Sequence, residues 1–341
     1  MRLEHEIFRI HTKHTFTISR GGASEWRVVM VKVIDRDGVE GWGEAAPSRY
    51  YGENADTVVA ALAQFAPVLE SADAWALEDI EGELSGAMRG NAAARSAVSS
   101  ALHDLAAKRL GVPVHRMLGL NPARAPRSSF TIAIAAPDEL RRKVLEAASY
   151  PILKVKLGGE RDEESLRVIR DAAPNATLRV DANAGWTAKH TLRMMDCLVA
   201  HRVEFVEQPL PPHDLEGLKF VRDRSPLPII ADESCLVATD IPRLAGVVDG
   251  INIKLAKCGG PREAIKMAAT ARAHGMLVMM GCMIESSLGI SAAAHLAPLL
   301  DYADLDGAAL LGDDPFRGAS IDGGVIAIPD APGLGVTRVA R

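Results

Sequence analysis

The sequence is poor in cysteine, and the few cysteines that it has are scattered. Cys197, Cys235, Cys258 and Cys282 form no CxxC pair among the 341 residues. This spacing argues against a zinc knuckle or a disulfide framework, because both need cysteines at short or regular intervals. Scattered thiols fit a protein of the reducing cytoplasm.

Long apolar runs and basic blocks are also absent. No stretch approaches the ~18 uncharged apolar residues of a membrane span, and residues 1–14 lack the apolar core of a signal peptide. The formal net charge is −5, with no long run of lysine or arginine. Nucleic acids and anionic membranes are therefore poor partners, and we expect a cytoplasmic protein that acts on a small molecule.

From residue 129 onward the sequence alternates β-rich runs with helical segments. The eight runs are SFTIAIAA, PILKVKLGG, TLRVDANAG, VEFVEQPL, LPIIADES, GINIKLAKCGG, MLVMMGCMIESS and YADLDGAALL. Charged residues in successive runs lie 22 to 26 residues apart, which fits one strand, one helix and two loops. Eight such units predict a (β/α)8-type barrel. A doubly wound open sheet is the alternative, but the glycine-rich turn expected after its first strand is missing.

The residues before and after this repeat predict a second unit. EWRVVMVKVIDRDGVEGWGEAAP predicts two strands around an Asp-Gly turn, and two helical stretches follow it. We therefore predict an α+β capping domain at residues 1–115 and a barrel at residues 116–311. The remaining segment, 312–341, has turn and strand character and is expected to return to the capping domain.

Polar side chains are concentrated at the carboxyl ends of the predicted barrel strands. They are Lys154, Lys156, Asp181, Asn183, Glu207, Gln208, Asp232, Glu233, Lys254, Glu285, Asp304 and Asp306. In a barrel all the carboxyl ends meet at one mouth, where active sites lie. The set therefore predicts an active site. For a single member such as Glu233 or Asn183, support of a neighbour is as good an interpretation as direct chemistry.

Three of these carboxylates lie on consecutive strands and predict a metal site. Asp181, Glu207 and Asp232 offer only oxygen ligands. Oxygen ligands, completed by water and substrate, suit a hard divalent cation such as Mg²⁺. We therefore predict that these three residues hold one Mg²⁺ ion.

Lysines flank the predicted metal site on both sides. Lys156 and Lys254 belong to strands two and six, which lie roughly opposite each other across a barrel. Lys154 shares a strand face with Lys156, since side chains alternate along a strand. A metal that stabilises an enediolate, together with a lysine base, removes a proton from a carbon next to a carboxylate. We expect Lys156 and Lys254 to be catalytic, with Lys154 lowering the pKa of Lys156 by charge repulsion.

These motifs, in this order, resemble the enolase superfamily in its muconate-lactonizing-enzyme-like subgroup. The blocks LKVKLGG, VDANAGW, VEQPLPP, ADES, NIKLAKCGG and PGLGV carry the likeness over essentially the whole chain. The resemblance implies a modified barrel of the form (β/α)7β, with capping loops at 11–25 and 47–54 that close over its mouth. GCMIESSLGIS and ADLDGAALL are most similar to dipeptide epimerases, the group that includes L-Ala-D/L-Glu epimerase.

The same resemblance implies an activity and a set of substrate contacts. The activity is Mg²⁺-assisted 1,1-proton transfer by two lysines at the α-carbon of the second residue of a dipeptide, with L-Ala-D/L-Glu as one candidate substrate. The implied substrate-binding residues are Arg20, Thr131, Lys154, Met283, Glu285, Asp304 and Asp306. We also expect the chain to form a homo-oligomer.

The pair Asp304 and Asp306 has a physical interpretation of its own. Two neighbouring carboxylates attract a cation, and the free ammonium of a dipeptide is a suitable one. One position departs from the pattern of the Ala-Glu enzymes, because Ala23 stands where those members tend to carry a basic residue. The resemblance therefore supports a dipeptide epimerase more firmly than an Ala-Glu epimerase, unless Arg20, Arg49 or Lys13 replaces the missing cation.

Other functions use much of the same machinery. N-acylamino-acid racemases, o-succinylbenzoate synthases and muconate-type cycloisomerases of the same subgroup would employ the same lysines and metal. The lyases and cycloisomerases have no evident need for the acidic pair, and the racemases take a blocked amine. A non-catalytic binding protein would not need the intact carboxylates and opposed lysines. Acid-sugar dehydratases would more typically place a His base on a late strand, and strands six to eight contain none.

Overall fold

The computed structural model describes residues 1–339 and begins with a three-stranded antiparallel sheet. Its strands are β1 (Arg2–Ile18), β2 (Gly21–Ile34) and β3 (Glu40–Ala45). The β1–β2 hairpin reverses at Gly21, whose φ of 118° is a conformation that favours glycine. The pairing register shifts between His11 and Phe16, which marks a β-bulge in the distal half of the hairpin. The capping loop predicted at 11–25 is largely this distal half.

Four helices follow the sheet. They are α1 (Ala55–Ser71), α2 (Leu77–Ala87), α3 (Ala92–Leu110) and α4 (Val114–Met117). α1 begins with a capping box in which Asn54 and Thr57 each accept the other's backbone N–H at 3.0 Å. α3 packs directly on β3, because Gly41 and Gly43 leave no Cβ between the strand and the helix backbone. The second predicted helical stretch is α3, and the first divides into α1 and α2.

Eight parallel strands form the central sheet. They are β4 (Phe130–Ile132), β5 (Ile152–Lys156), β6 (Thr177–Asp181), β7 (Val203–Glu207), β8 (Ile229–Ala231), β9 (Gly250–Ile253), β10 (Leu277–Gly281) and β11 (Tyr302–Asp304). Neighbours in sequence are neighbours in the sheet, in the order β4 to β11. Each strand lies within one of the eight β-rich runs of the sequence. The predicted barrel with a capping unit is therefore confirmed.

Helices cover the outside of this barrel. They are α5 (Pro137–Glu146), α6 (Asp162–Ala172), α7 (Ala188–Ala200), α8 (Leu215–Arg222), α9 (Ile241–Leu244), α10 (Leu255–Cys258), α11 (Pro261–Ala273) and α12 (Ser287–Ala294). Their apolar faces bury residues such as Leu166 and Ile169 of α6 against the sheet. No helix within residues 1–339 has both the length and the apolarity that crossing a membrane requires.

The first and last barrel strands meet at a seam that is not a regular ladder. Within residues 1–339, the backbone contact between them consists of an isolated bridge from Ser128 to Ala303 and a hydrogen bond from Ser129 N to Ala303 O at 3.0 Å. Below the mouth, the Arg179 guanidinium packs over the rings of Phe205 and Tyr302, at 5.4 and 4.7 Å from their centroids. Packed side chains thus fill the barrel interior below the mouth, and the polar side chains lie above this layer.

The chain ends with four short strands. They are β12 (Phe316–Arg317), β13 (Ser320–Asp322), β14 (Val325–Ala327) and β15 (Thr337–Arg338). This segment contacts the first sheet: Asp313 Oδ1 accepts the His11 N–H at 2.7 Å, and the rings of Phe316 and Phe8 lie 5.6 Å apart. The boundaries at 115 and 311 stay predictions, and residues 340–341 of the predicted segment lie outside the described residues.

Candidate active site

Three carboxylates converge at the mouth of the barrel. Asp181 ends β6, Glu207 ends β7 in register with it, and Asp232 follows β8 directly. All three are at least 99% buried, and their ligand oxygens lie within 4.8 Å of one another. Because adjacent parallel strands place their carboxyl ends side by side, the sheet itself brings these residues together. The structure thus groups the three ligands predicted from the sequence.

Each carboxylate has one oxygen held by a protein donor. The donors are Asn183 N to Asp181 Oδ1 at 2.8 Å, Asn252 Nδ2 to Glu207 Oε1 at 2.7 Å, and Lys257 Nζ to Asp232 Oδ1. These contacts orient the carboxylates, as partners of metal ligands commonly do. Asn252 and Lys257 were not predicted from the sequence. Strand alternation places Asn252 on the same face as Lys254, but Lys257 lies on the short helix α10, where no periodic signal exists.

The other oxygen of each carboxylate faces a lysine ammonium. The pairs are Lys156 Nζ to Asp181 Oδ2 at 2.6 Å, Lys154 Nζ to Glu207 Oε2 at 2.7 Å, and Lys254 Nζ to Asp232 Oδ2 at 2.8 Å. Glu207 Oε2 is buried and has no aligned hydrogen-bond donor despite the nearby lysine. Three buried carboxylates whose ligand oxygens lie within 4.8 Å of one another fit a hard divalent cation.

Burial and charge act against each other at these groups. Burial, with the charge of Asp181 adding to it, raises the pKa of Glu207 to about 7. Burial would lower the pKa of Lys254, but Asp232 outweighs it, and the pKa lies above its ordinary value. The same balance holds the pKa of Lys154 well above its ordinary value, because three carboxylates surround it. The suggested tuning of Lys156 by Lys154 stays a prediction.

Lys154 connects the carboxylate triad to the acidic pair. Its ammonium lies 2.8 Å from Asp304 Oδ2, while Asp304 Oδ1 accepts from the Ser129 hydroxyl at 2.6 Å. Asp306 lies just beyond the end of β11, and its Oδ2 accepts the Thr131 N–H at 2.6 Å. Burial, reinforced by Asp304, raises the pKa of Asp306 to about 7. Asp304 is thus paired with a lysine, whereas Asp306 accepts hydrogen bonds from Thr131 and forms no ion pair within residues 1–339.

Arg20 reaches the barrel mouth from the β1–β2 hairpin. Its Nη1 donates to the Asn183 carbonyl at 2.7 Å and to Glu233 Oε1 at 2.8 Å, and its guanidinium lies 4.1 Å from the centre of the Tyr50 ring. Arg20 therefore ties both predicted capping loops to the barrel. Ala23 is exposed on β2. A direct contact between Arg20 and substrate stays a prediction.

The loop after β10 carries the other two predicted substrate residues. Glu285 Oε1 accepts the Met283 N–H at 2.8 Å. Glu44, from the capping sheet, accepts the Ser286 N–H at 2.9 Å beside it. Burial raises the pKa of Glu44 to about 8, with the charge of Glu285 adding to the shift, and burial raises the pKa of Glu285 to about 7. Contacts of Met283 and Glu285 with substrate stay predictions.

Two family models match the chain. Residues 4–119 match the mandelate racemase / muconate lactonizing enzyme N-terminal domain, and residues 137–339 match the enolase C-terminal domain-like model. Together the two matches extend over both the capping sheet and the barrel.

Relatives named as epimerases are similar to this chain over nearly its full length. An L-Ala-D/L-Glu epimerase from Bacteroides thetaiotaomicron is 39% identical, over 99% of this chain and 88% of the relative. A hydrophobic dipeptide epimerase from Roseobacter litoralis is 39% identical, over 98% of both chains. The solved structure of a dipeptide epimerase from Enterococcus faecalis V583, complexed with Mg and the dipeptide L-Leu-L-Tyr, superposes with a TM-score of 0.94 at 32% identity over 99% of both chains. The chain therefore belongs to the enolase superfamily, in the mandelate racemase / muconate lactonizing enzyme family.

Proposed function

We propose that this chain is a dipeptide epimerase that inverts the α-carbon of the second residue. The observation that carries the proposal is the placement of Lys156 at the end of β5 and of Lys254 directly after β9, paired with Asp181 and Asp232, the two outer members of the buried carboxylate triad. The similarity to L-Ala-D/L-Glu and hydrophobic dipeptide epimerases supports it.

Mg²⁺ is the cofactor that the site fits, held by Asp181, Glu207 and Asp232. When bound, it supplies positive charge near the substrate carboxylate, where negative charge accumulates as the α-proton leaves. The structure of the Enterococcus faecalis dipeptide epimerase contains Mg, which supports this assignment. Asn183, Asn252 and Lys257 keep the three carboxylates oriented.

The two lysines perform complementary steps. One lysine, as the neutral amine, takes the α-proton from one face of the substrate. The other, as the ammonium, returns a proton to the opposite face, so that the configuration inverts and the proton count balances. In the reverse direction Lys156 and Lys254 exchange roles. Asp306 holds the free ammonium of the dipeptide and fixes the α-carbon between the lysines.

Proton exchange in D₂O tests the proposal. The purified chain with Mg²⁺ is incubated with L-Ala-L-Xaa and L-Xaa-L-Glu libraries, and deuterium is measured at the second α-carbon by mass spectrometry and NMR. We expect incorporation together with the appearance of the second epimer. N-acetylated dipeptides serve as the matched control, since they lack the ammonium that Asp306 would hold.

The same experiment separates the alternatives. Faster turnover of N-acetyl or N-succinyl amino acids than of free dipeptides would replace the proposal with an N-acylamino-acid racemase. Elimination or ring-closure products without exchange would indicate a lyase or cycloisomerase. Ala23 stands where the Ala-Glu enzymes tend to carry a basic residue. We therefore expect no strict preference for L-Ala-L-Glu.

The proposal also includes two properties of the whole molecule: the chain forms a homo-oligomer, and it acts in the cytoplasm. Light scattering coupled to size-exclusion chromatography would test the oligomeric state, and cell fractionation would test the location.

A further inference from the structure

One position at the barrel mouth carries no side chain. Gly281 ends β10, which lies between β9, directly followed by Lys254, and β11, which ends at Asp304. Gly281 faces the barrel interior, because Met279, two residues earlier on the strand, is buried in the interior cluster with Phe205. It therefore belongs to the same layer as the candidate active site, next to Lys254.

Space, and not backbone conformation, accounts for a glycine at this position. The φ of Gly281 lies outside the left-handed region, so alanine would fit the backbone. A Cβ added to Gly281 would lie 2.9 Å from Asn252 Nδ2, 3.0 Å from Asn252 Oδ1 and 3.1 Å from Lys254 Cε, where ordinary contacts begin at 3.4 Å. A glycine inside a strand weakens the strand and often marks a close approach of another group. Here the approaching groups are Asn252 and Lys254.

Both neighbours of Gly281 are held by carboxylates of the triad. Asn252 Nδ2 donates to Glu207 Oε1 at 2.7 Å, and Lys254 Nζ lies 2.8 Å from Asp232 Oδ2. Asn252 Oδ1 is buried and forms no hydrogen bond within residues 1–339, so the bond to Glu207 orients the amide. Neither group can move away from an added Cβ without changing its contact with a carboxylate.

We propose that Gly281 is a positioning residue, whose missing side chain leaves the room that Lys254 needs for proton transfer and that Asn252 needs to orient Glu207. The inference rests on the proposed dipeptide epimerase function and adds a residue that touches neither substrate nor metal. It predicts a defect on one face of the substrate. Lys156, the base on the other face, lies on β5, which is not adjacent to β10 in the sheet.

The test is Gly281→Ala with both epimers of one substrate in D₂O at saturating Mg²⁺. The substrate is the library dipeptide that the wild type exchanges fastest, in its L,L and L,D forms. The epimer served by Lys254 is the one whose exchange is lost in Lys254→Ala. A misplacement of ~1 Å costs about 10²-fold in rate, so a shift of a few tenths of an ångström should slow exchange of that epimer about three- to tenfold. The KM values and exchange of the other epimer should stay near the wild-type values.

A second measurement needs no substrate. Displacement of Asn252 changes the orientation of Glu207, and loss of such a partner weakens metal affinity about 10–100-fold, so a displaced partner should weaken it at least about threefold. Thermal unfolding is followed as a function of Mg²⁺ concentration. The concentration that gives half of the maximal stabilisation should rise by this factor in Gly281→Ala.

Gly250→Ala is the matched control. Gly250 begins β9 below the mouth, and an added Cβ would lie 2.7 Å from both Ile230 Cδ1 and Leu277 Cβ. The variant crowds the same barrel interior and should lower the unfolding temperature. The ratio of the exchange rates of the two epimers and the Mg²⁺ midpoint should both match the wild type.

A double variant decides the question if Gly281→Ala does not fold. Asn252→Ala removes the two closest contacts, so that in combination with Gly281→Ala the added Cβ meets Lys254 alone. Compared with Asn252→Ala by itself, the double variant should show the same selective slowing of the epimer served by Lys254.

The outcomes separate this inference from the proposed function. Equal slowing of both epimers, an unchanged ratio in Gly281→Ala, or the same change of ratio in Gly250→Ala would overturn the positioning of Lys254. An unchanged Mg²⁺ midpoint in Gly281→Ala would overturn the positioning of Asn252. Absence of exchange with every dipeptide in the wild type would overturn the epimerase function and, with it, the role of Gly281 in proton transfer, while the Mg²⁺ titration would still decide the role of Gly281 toward Asn252.

Discussion

The two ends of the candidate site are built by different kinds of contact. At the metal end, neighbouring parallel strands place the residues in register, with Lys156 opposite Asp181 and Asp181 opposite Glu207. At the ammonium end, β11 and β4 meet at the seam, and side chains connect them where a ladder would otherwise run. Ser129 donates to Asp304, and Thr131 donates to Asp306, each at 2.6 Å.

This difference separates residues whose positions follow from strand pairing from residues whose positions depend on individual hydrogen bonds. Backbone pairing sets the positions of Lys156, Asp181 and Glu207, and Asp232 and Lys254 directly follow paired strands. A change in one of these side chains is therefore expected to leave the others in place. At the seam, the position of Asp306 depends on its hydrogen bonds from the backbone and hydroxyl of Thr131. We infer that the metal end determines the reaction and that Asp306 at the seam contributes to substrate binding.

Removal of the metal should have the largest effect and should stop the reaction completely. Chelation leaves the site without the cation that the three carboxylates are arranged to hold, and excess Mg²⁺ should restore activity. Bound Mg²⁺ should also raise the thermal unfolding temperature, because a ligand that binds only the folded state stabilises it. Lys154, Lys156 and Lys254 already neutralise the carboxylates in part, so we expect the loss of stability to be smaller than the loss of activity.

Activity and unfolding temperature are measured before and after exhaustive EDTA treatment and again after Mg²⁺ is added back. Full activity in the chelated protein would contradict the metal assignment.

Substitution of either lysine should be the next largest effect. Lys156→Ala and Lys254→Ala should each reduce net epimerisation by at least ~10³-fold, within the range that general acid–base catalysis contributes. Each variant keeps one lysine and should still exchange the α-proton of one epimer in D₂O. The two variants should differ in which epimer they exchange. Exchange is followed by NMR, separately for the L,L and L,D dipeptides.

An exposed lysine provides the control for these variants. Lys219, on the outer helix α8, is 55% exposed and forms an ion pair with Asp223 at 2.7 Å, and Lys219→Ala should epimerise at the wild-type rate. Near-wild-type epimerisation by Lys156→Ala or Lys254→Ala would rule out the two-base mechanism.

Local sequence patterns predicted the metal end because strand pairing makes it regular. Alternation along LKVK placed Lys154 and Lys156 on one face, and the even spacing of the runs placed Asp181 and Glu207 at adjacent strand ends. Lys257 could not be found this way, because it reaches Asp232 from a short helix that has no period of its own. The partner of Arg20 was equally hidden, since Glu233 lies 213 residues away.

The seam was only partly predictable for a related physical reason. The acidic pair was visible in ADLDG, but β11 ends at Asp304, so strand alternation does not extend to Asp306. The contacts of the pair with Ser129 and Thr131 each span 175 residues of sequence. They depend on how the last strand returns to the first, which no local pattern records.

Neutralising Asp306 should have a smaller effect that is confined to substrate binding. Asp306→Asn removes the charge that would hold the dipeptide ammonium. Hydrogen bonds to charged groups contribute about 1.5–3 kcal/mol, so kcat/KM for dipeptides should fall at least ~tenfold at about 1.4 kcal/mol per decade. Metal-dependent stabilisation should persist, because Asp306 is not a predicted ligand. Kinetics and Mg²⁺ titration of thermal unfolding measure the two effects.

Asp322→Asn is the control, since Asp322 is an exposed carboxylate on β13, and it should leave kcat/KM at the wild-type value. Equal losses in both variants would contradict a specific role for Asp306, and a loss of Mg²⁺ stabilisation in Asp306→Asn would mean that the two ends are not separable.

The smallest expected effect concerns a third carboxyl cluster, formed by Glu44 and Glu285. It tests how buried carboxyl groups titrate when no lysine is paired with them. Glu44 and Glu285 are buried side by side, and within residues 1–339 neither forms an ion pair with a lysine or arginine. The pKa of Glu44 is raised from 4.5 to about 8, so the folded state keeps a proton that the unfolded chain releases. Stability therefore decreases as the pH rises from about 5 to 8. A glutamine at position 44 does not titrate. The free energy of unfolding of the wild type should therefore fall by about 1–3 kcal/mol relative to Glu44→Gln over this pH window, at roughly 1.36 kcal/mol per pKa unit.

Urea unfolding at pH 5, 6.5 and 8 measures the difference. Glu83→Gln, at an exposed position on α2, is the control that should parallel the wild type. A constant difference between wild type and Glu44→Gln, or one that favours the wild type at high pH, would show that the Glu44 carboxyl is ionised in the folded protein.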